Sequence, residues 1–312
     1  MVRVVGSRRS PLVAAAAVLL ASVVLAPSGP LAAGAASPRC RDEVRTDVVY
    51  AKRAGQPASA TSLDVYPAPG ACAGNATPVV VWVHGGGWSV GDKRVLGEKL
   101  ELFHDLGAAV VSVNYRLTER RPAGDGGDAV HHPAHADDVA AAVGWVTDHA
   151  RGFGADPDDV VLVGHSAGAH LASLVGSDPR YLRDAKVDAG AVGCVVALDT
   201  EGYDLEEKAA LGGRSAMLVR TVFGDDPAVL RDASPIAHAA DGSPVQFLVV
   251  TRGSPHRRAE AARFVDAVEQ AGGDASLVIA PGYSHADVNR RLGAAGETIV
   301  TPAVRDFVDR CA

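Results

Sequence analysis

Val160-Val161-Leu162-Val163-Gly164-His165-Ser166-Ala167-Gly168-Ala169-His170-Leu171-Ala172 runs four apolar residues into a Gly-x-Ser-x-Gly pentapeptide and then into a helix-forming stretch. A short apolar run ending at glycine reads as a strand covered on both faces. A strand that turns at once into a helix brings two backbones together beside the turn. Gly164 and Gly168 have no side chain to obstruct that approach. Ser166, held at strained angles at the apex, lifts its hydroxyl clear of the sheet, and the Ala167 amide points toward a bound carbonyl oxygen. The order strand, turn, helix makes Ser166 a candidate nucleophile rather than a serine in a glycine-rich turn.

Similar apolar runs recur at residues 79–83, 108–113, 192–198, 246–251 and 276–280. Helical stretches lie near 95–106, 135–151, 166–176, 257–271 and 294–310. Strand alternating with helix predicts a parallel sheet with helices on both faces. Residues 44–50 and 62–66, joined by a polar connection, predict a hairpin-like start. Within 135–151, Val139, Ala142, Val143 and Val146 share one helical face, and Asp137 and Asp138 stand near its start, where the helix dipole favours acid. The stretch from Asp199 to Ser243 is too long for a plain connection, and a partly helical cap is expected at about 200–243.

At 312 residues and 47% hydrophobic, the chain can build one large α/β domain, expected over residues 37–312. Residues 1–36 read differently. Arg3, Arg8 and Arg9 precede an apolar run at 12–26, then a Pro/Gly break and small residues, the layout of a cleavable secretory signal. That run is shorter than the roughly 20 residues a membrane span needs, so no stable anchor is expected. Loss of the three arginines would take the formal net charge from −7 to −10, which disfavours nucleic acid or anionic membrane as a partner. Cys40, Cys72, Cys194 and Cys311 form no CxxC pair, which argues against zinc and dithiol redox chemistry. In an exported protein they suggest two disulfides with three possible connectivities. Cys40 and Cys72 bracket the first two strands, while Cys194 opens a core strand and Cys311 ends the last helix; Cys40 with Cys72 and Cys194 with Cys311 is the favoured pairing.

Val79-Val80-Val81-Trp82-Val83-His84-Gly85-Gly86-Gly87-Trp88 places three glycines at the carboxyl end of a strand, where open parallel sheets bind ligands. Backbone amides approach an oxyanion only where no side chain intervenes, so this turn can supply donors beside Ser166. His84-Gly85-Gly86-Gly87-Trp88, Asn114-Tyr115-Arg116-Leu117, Gly164-His165-Ser166-Ala167-Gly168 and Tyr283-Ser284-His285 together resemble the α/β-hydrolase superfamily. The likeness is to its esterase and lipase branch, near the feruloyl-esterase-like and kynurenine-formamidase-like members, over roughly residues 44–310. It implies an eight-stranded, mostly parallel sheet, a Ser/His/acid triad, and the amides of Gly86, Gly87 and Ala167 as the oxyanion hole. Asp138 also matches the family pattern, as a residue that orders a loop.

The base should come late in the chain, and His285 follows the 276–280 strand by a short loop, so its imidazole can take the Ser166 proton and return it to the leaving group. His131, His132 and His135 cluster without a carboxylate or Cys at ligand spacing, so no metal is expected. The acid departs from the superfamily pattern. An Asp is expected just past the strand before the last, but this chain has Thr251-Arg252-Gly253-Ser254-Pro255-His256-Arg257-Arg258 there. Asp199, closing the strand at 192–198, is the favoured replacement, because a carboxylate ending an apolar strand needs a partner and the other nitrogen of His285 is one. Glu260, Asp204 and Glu201 are alternatives, and Asp287 lies too close to His285 in sequence.

The expectation is a secreted serine esterase that needs no cofactor and acts on small-molecule or polymer-derived esters, with Trp88, His165 and Tyr203 in the substrate pocket. An amide hydrolase of the formamidase type and a hydrolase fold retained for binding are the alternatives. Oligomeric state is not legible.

Overall fold

The computed structural model describes residues 40–73, 76–119, 130–241 and 243–311. The expected signal at 1–36 lies outside them. The sheet contains β1 (Arg45–Val49), β2 (Ser62–Tyr66), β3 (Thr77–Val83), β4 (Ala109–Val113), β5 (Ala155–His165), β6 (Val192–Leu198), β7 (Gln246–Thr251) and β8 (Ala275–Ile279). Their order is β1-β2-β4-β3-β5-β6-β7-β8. β1 and β2 pair antiparallel, as do β2 and β4, and every later pairing is parallel. This is the α/β-hydrolase fold.

Among the described residues the helices are α1 (Lys99–Asp105), α2 (Ala134–His149), α3 (Ala167–Ser177), α4 (Pro179–Asp184), α5 (Leu205–Ala210), α6 (Gly213–Phe223), α7 (Pro227–Asp232), α8 (Pro235–His238), α9 (Pro255–Gln270), α10 (His285–Arg290) and α11 (Val300–Cys311). Strand side chains alternate between two cores, as a period of two requires. Val79, Val81 and Val83 face the core shared with α2, α3 and α9, while Val80 and Trp82 face the one shared with α1, α10 and α11. On α11, Val300, Val304, Phe307 and Val308 are buried at helical spacing, and Cys311 ends the helix in a disulfide to Cys194 of β6. Cys40 pairs with Cys72.

β5 begins five residues before its apolar run, because Thr77 of β3 still pairs with Ala155 across a register shift. α11 begins later than the expected 294, after turns in which Gly293 and Gly296 have φ of 87° and 77°. The region expected as a cap contains α5 to α8. Asp204 and Asp226 cap α5 and α7, each accepting a backbone N–H from the first turn, and Pro227 and Pro235 open α7 and α8. α10 was not expected. Ser284 and Asp287 form a reciprocal capping box that starts this helix at His285.

Candidate active site

β5 ends at His165 and α3 begins at Ala167, leaving Ser166 alone at the turn with φ 57° and ψ −118°. A Cβ on Gly164 would lie 2.2 Å from the Gly168 carbonyl oxygen, and one on Gly168 would lie 2.2 Å from that of Val83. Both glycines are therefore demanded by backbone passing backbone. The Ser166 amide is tied to the Leu198 carbonyl at 2.9 Å, which fixes the turn to β6. Trp88, Ser166 and Asp199 have φ of 57°, 57° and 54°. Such backbone costs on the order of 1–3 kcal/mol per non-glycine residue and gathers at functional sites.

Ser166, His285 and Asp199 form one hydrogen-bonded chain. Ser166 Oγ lies 2.8 Å from His285 Nε2, and His285 Nδ1 lies 2.6 Å from Asp199 Oδ2. Asp199 follows β6 directly, and its amide donates to the Val250 carbonyl at 2.8 Å, so the end of β7 fixes where the carboxylate stands. Its side chain is fully buried. Two arginines close on it from beyond β7. Arg252 Nε donates to Oδ2 at 2.8 Å, while Arg257 donates to Oδ1 from Nε at 3.0 Å and from Nη2 at 2.9 Å. Burial raises the Asp199 pKa, but the His285 hydrogen bond, the Arg257 charge and the Arg252 hydrogen bond outweigh it, so the carboxyl stays below its ordinary range. A permanently ionised acid holds its proton partner on Nδ1 and leaves Nε2 free to accept from Ser166.

The glycine turn stands opposite. Gly86 and Gly87 have φ of 128° and 58°, and the former folds over the Val90 carbonyl, which would lie 1.8 Å from an added Cβ. Gly87 and Ala167 line a cavity of about 290 Å³ together with Ser166 and His285. Gly86 is not one of the residues that line it. The Ala167 amide, first in α3, has no carbonyl one turn earlier to meet, so it is available to an oxyanion. Trp88 walls the same cavity and is locked by its indole N–H, which donates to His170 Nδ1 at 3.1 Å. His170 Nε2 in turn donates to the Ala233 carbonyl at 2.8 Å, linking the glycine turn through α3 to the end of α7. Burial lowers the His170 pKa to about 4, consistent with a neutral ring that accepts at one nitrogen and donates at the other.

Two expected pocket residues lie elsewhere. Tyr203 is buried and stacks on Phe264 with ring centroids 4.6 Å apart, so it belongs to the core under α9. His165 lies beneath the site, where its Nε2 donates to the His285 carbonyl at 3.1 Å and its ring packs 4.6 Å from that of His285. Side chains alternate across the sheet, so the residue beside Ser166 supports His285 from below instead of facing the cavity. The cavity wall on the expected cap side comes from Lys208 of α5 and from Ser215, Leu218 and Val219 of α6.

The alternative acids are engaged away from His285. Glu260 accepts from the Tyr203 amide at 3.1 Å, and burial lifts it to about 7. Asp204 caps α5, Glu201 pairs with Lys208 and Arg257, and Asp287 caps α10. Asp138 accepts from Arg53 and three times from Arg116, holding the Asn114-Tyr115-Arg116-Leu117 turn to α2. In the histidine cluster, His131 meets the Val222 carbonyl, His132 meets Asp232 and His135 meets Thr118. Sequence reasoning missed Arg252 and Arg257 as partners of the acid. Their signal was present as basic residues in the segment where an acid was sought.

A family model described as BD-FAE matches residues 63–254. Esterase LipQ of Mycobacterium tuberculosis (strain ATCC 25618 / H37Rv) is 29% identical over 258 residues, covering 79% of this chain and 58% of its own. Probable carboxylic ester hydrolase LipM of the same organism is 30% identical over 227 residues, covering 69% of this chain and 50% of its own. The chain thus spans between half and three-fifths of these relatives. Among solved structures, a truncated form of carbohydrate esterase from gut microbiota superposes with a TM-score of 0.67 at 18% identity, covering 88% of this chain and 98% of that one. Propionate-bound esterase 2 of Thermogutta terrifontis superposes with a TM-score of 0.61 at 22% identity, covering 86% and 92%. At these identities the structural likeness speaks for the fold.

Proposed function

The chain belongs to the BD-FAE family, and from that premise we propose that it is a serine hydrolase cleaving carboxylic esters through an acyl-enzyme on Ser166. The observation that carries the reading is the unbroken chain from Ser166 Oγ through His285 to Asp199, opening on a cavity lined by Gly87 and Ala167. His285 Nε2 takes the Ser166 proton as Oγ attacks the ester carbonyl. The oxygen of the tetrahedral intermediate then becomes an anion and accepts from the Gly87 and Ala167 amides, with Gly86 the further donor suggested by the sequence. His285 passes the proton to the departing alcohol. Water, deprotonated by the same imidazole, releases the acid and restores Ser166. Asp199 keeps the other imidazole nitrogen protonated throughout.

We place the protein outside the cytoplasm. The layout of residues 1–36 supports this, as do two disulfides, which persist in oxidising compartments. Hydrolysis of 4-nitrophenyl butyrate, with fluorophosphonate labelling located by peptide mapping, tests the function. Turnover by the parent, with both turnover and labelling lost in Ser166→Ala, is expected. A folded parent that neither turns over nor labels would overturn it.

A further inference from the structure

The two arginines behind Asp199 are not used alike. Arg257, with 9% of its side chain exposed, commits its whole guanidinium. Nε and Nη2 go to Asp199 Oδ1, Nη2 also meets the Asp199 carbonyl at 3.1 Å, and Nη1 pairs with Glu201. Arg252, 21% exposed, commits only Nε. Among the described residues its Nη1 and Nη2 meet no protein acceptor, although it lines the same cavity as Ser166 and His285. Lys208, on α5, is the other incompletely used cation there, its Nζ giving one of three hydrogens to Glu201 at 2.8 Å. The cavity wall carries Lys208, Arg252 and Arg257 against Asp199 and Glu201. It therefore has one positive charge in surplus, within a chain of formal net charge −7.

A guanidinium held at Nε keeps its Nη edge at a fixed angle, a planar fork that matches a carboxylate. Asp199 Oδ1 is satisfied by Arg257, so the Nη edge of Arg252 has no structural duty toward the acid. At about 290 Å³ the cavity is at the small end for ligand pockets, so a substrate group that enters it lies close to both Ser166 and the fork. We propose that Arg252, assisted by Lys208, forms a carboxylate-recognising subsite, and that the preferred substrates are small esters that carry a free carboxylate, such as half-esters of dicarboxylic acids. This rests on the esterase reading above and names its substrate class.

The test compares matched pairs. On the acyl side, 4-nitrophenyl hemiadipate is set against 4-nitrophenyl hexanoate, equal in chain length and differing in a terminal carboxylate. On the alcohol side, 4-carboxyphenyl acetate is set against phenyl acetate. For each pair the ratio of kcat/KM, anionic over neutral, is measured in the parent, Arg252→Gln, Arg252→Lys and Lys208→Gln. Intrinsic reactivity and any disturbance of Asp199 act on both members of a pair and cancel when variant ratios are compared with the parent's. Loss of a charge-assisted hydrogen bond should lower the ratio for one pair by about tenfold or more in Arg252→Gln. Arg252→Lys should restore part of it, and added salt should erode it in the parent. The affected pair tells which side of the ester carries the carboxylate. Lys208→Gln, which leaves the acid's hydrogen bonds intact, should lower the same ratio and stands in if Arg252→Gln does not fold. Turnover of all four esters with ratios unchanged within about twofold across the variants would overturn the subsite while leaving the esterase. A folded parent that hydrolyses none of the four would overturn the esterase reading itself.

Discussion

Asp199→Asn isolates the charge of the proposed triad acid, and the surrounding donors dictate how it would fail. Oδ1 accepts two bonds from Arg257, and Oδ2 accepts from Arg252 and faces His285 Nδ1. An asparagine has one oxygen. Turning its amide nitrogen toward Arg257 would set donors against both Arg257 donors and forfeit two charge-assisted bonds, each worth about 1.5–3 kcal/mol. With the oxygen in the Oδ1 place, the amide NH₂ meets Arg252 Nε and His285. Only the Arg252 bond is then forfeited, because His285 can move its proton to the other nitrogen, so this less costly orientation is the one expected. An imidazole receiving a hydrogen bond at Nδ1 must carry its proton on Nε2, where it points at Ser166 Oγ and cannot accept. In a serine protease the equivalent tautomer error costs about 10⁴ in kcat, which corresponds to about 5.5 kcal/mol. The expected result is a fall of that order in kcat for 4-nitrophenyl butyrate with KM little changed, in protein whose near-ultraviolet circular dichroism matches the parent. Glu260→Gln, by contrast, should keep kcat within about tenfold, since Glu260 serves the Tyr203 amide. A folded Asp199→Asn within tenfold of the parent would refute the assignment.

Arg257→Met leaves Asp199 buried with one arginine, so the carboxyl rises from its depressed position. An acid with a lowered folded pKa contributes stability that is fully present above its unfolded value, near 3.8, and is lost as pH falls through the folded value. The variant should therefore lose activity and unfold at higher pH on acidification, with a neutral-pH stability cost on the order of 3 kcal/mol; unchanged pH profiles of kcat/KM and ellipticity would count against the clamp. Gly164→Ala puts a methyl 2.2 Å from the Gly168 carbonyl, and α3 must shift off β5 at a cost of about 3 kcal/mol, read as a lowered Tm with loss of fluorophosphonate labelling. Burial raises the Glu297 pKa, but hydrogen bonds from Thr301, from the Val300 amide and from the Tyr283 hydroxyl outweigh it and hold it at about 2, against 4.5 unperturbed. Its stabilisation is complete above pH 4.5 and disappears toward pH 2, so Glu297→Gln should flatten the stability–pH curve in that window by on the order of 2 kcal/mol; a parallel curve would deny the role.

The sheet was readable because parallel strands buried on both faces leave unbroken apolar runs, and the serine turn because its glycines answer a steric demand between two backbones. The expected cap was harder. Its helices are four to eleven residues long and held by caps and contacts from distant segments, so no helical period persists long enough to be read. Tyr203 was misplaced for a related reason. It lies in the segment expected as a cap, but its ring turns to Phe264 on α9, a contact 61 residues away that local pattern cannot announce. α10 shows the reverse case, since Ser284 and Asp287 are a readable capping signal in the sequence for a helix that starts at His285.

A proposed acid at the end of β6, instead of the end of β7 where the superfamily likeness leads one to expect it, constrains its neighbours. The two strands are adjacent and parallel, Leu198 paired with Val250, so their ends lie side by side and either can reach an imidazole arriving from beyond β8. Asp199 is nonetheless fully buried, and an unpaired carboxylate in that position would rise in pKa until it was neutral and could no longer fix the imidazole tautomer. The segment after β7 supplies the cure in Arg252 and Arg257, and the charges must change together: an aspartate at 199 without them loses its ionisation, and the arginines without it are cations left facing a buried space. The absence of an acid at 252–258 is thus the complement of an acid at 199. The asymmetry within that pair follows, because Arg257 alone saturates Oδ1 and Glu201, while Arg252 needs only Nε to complete Oδ2. What remains of Arg252 is a cationic edge on the cavity that Ser166 also lines, a feature that an acid drawn from β7 would not have created.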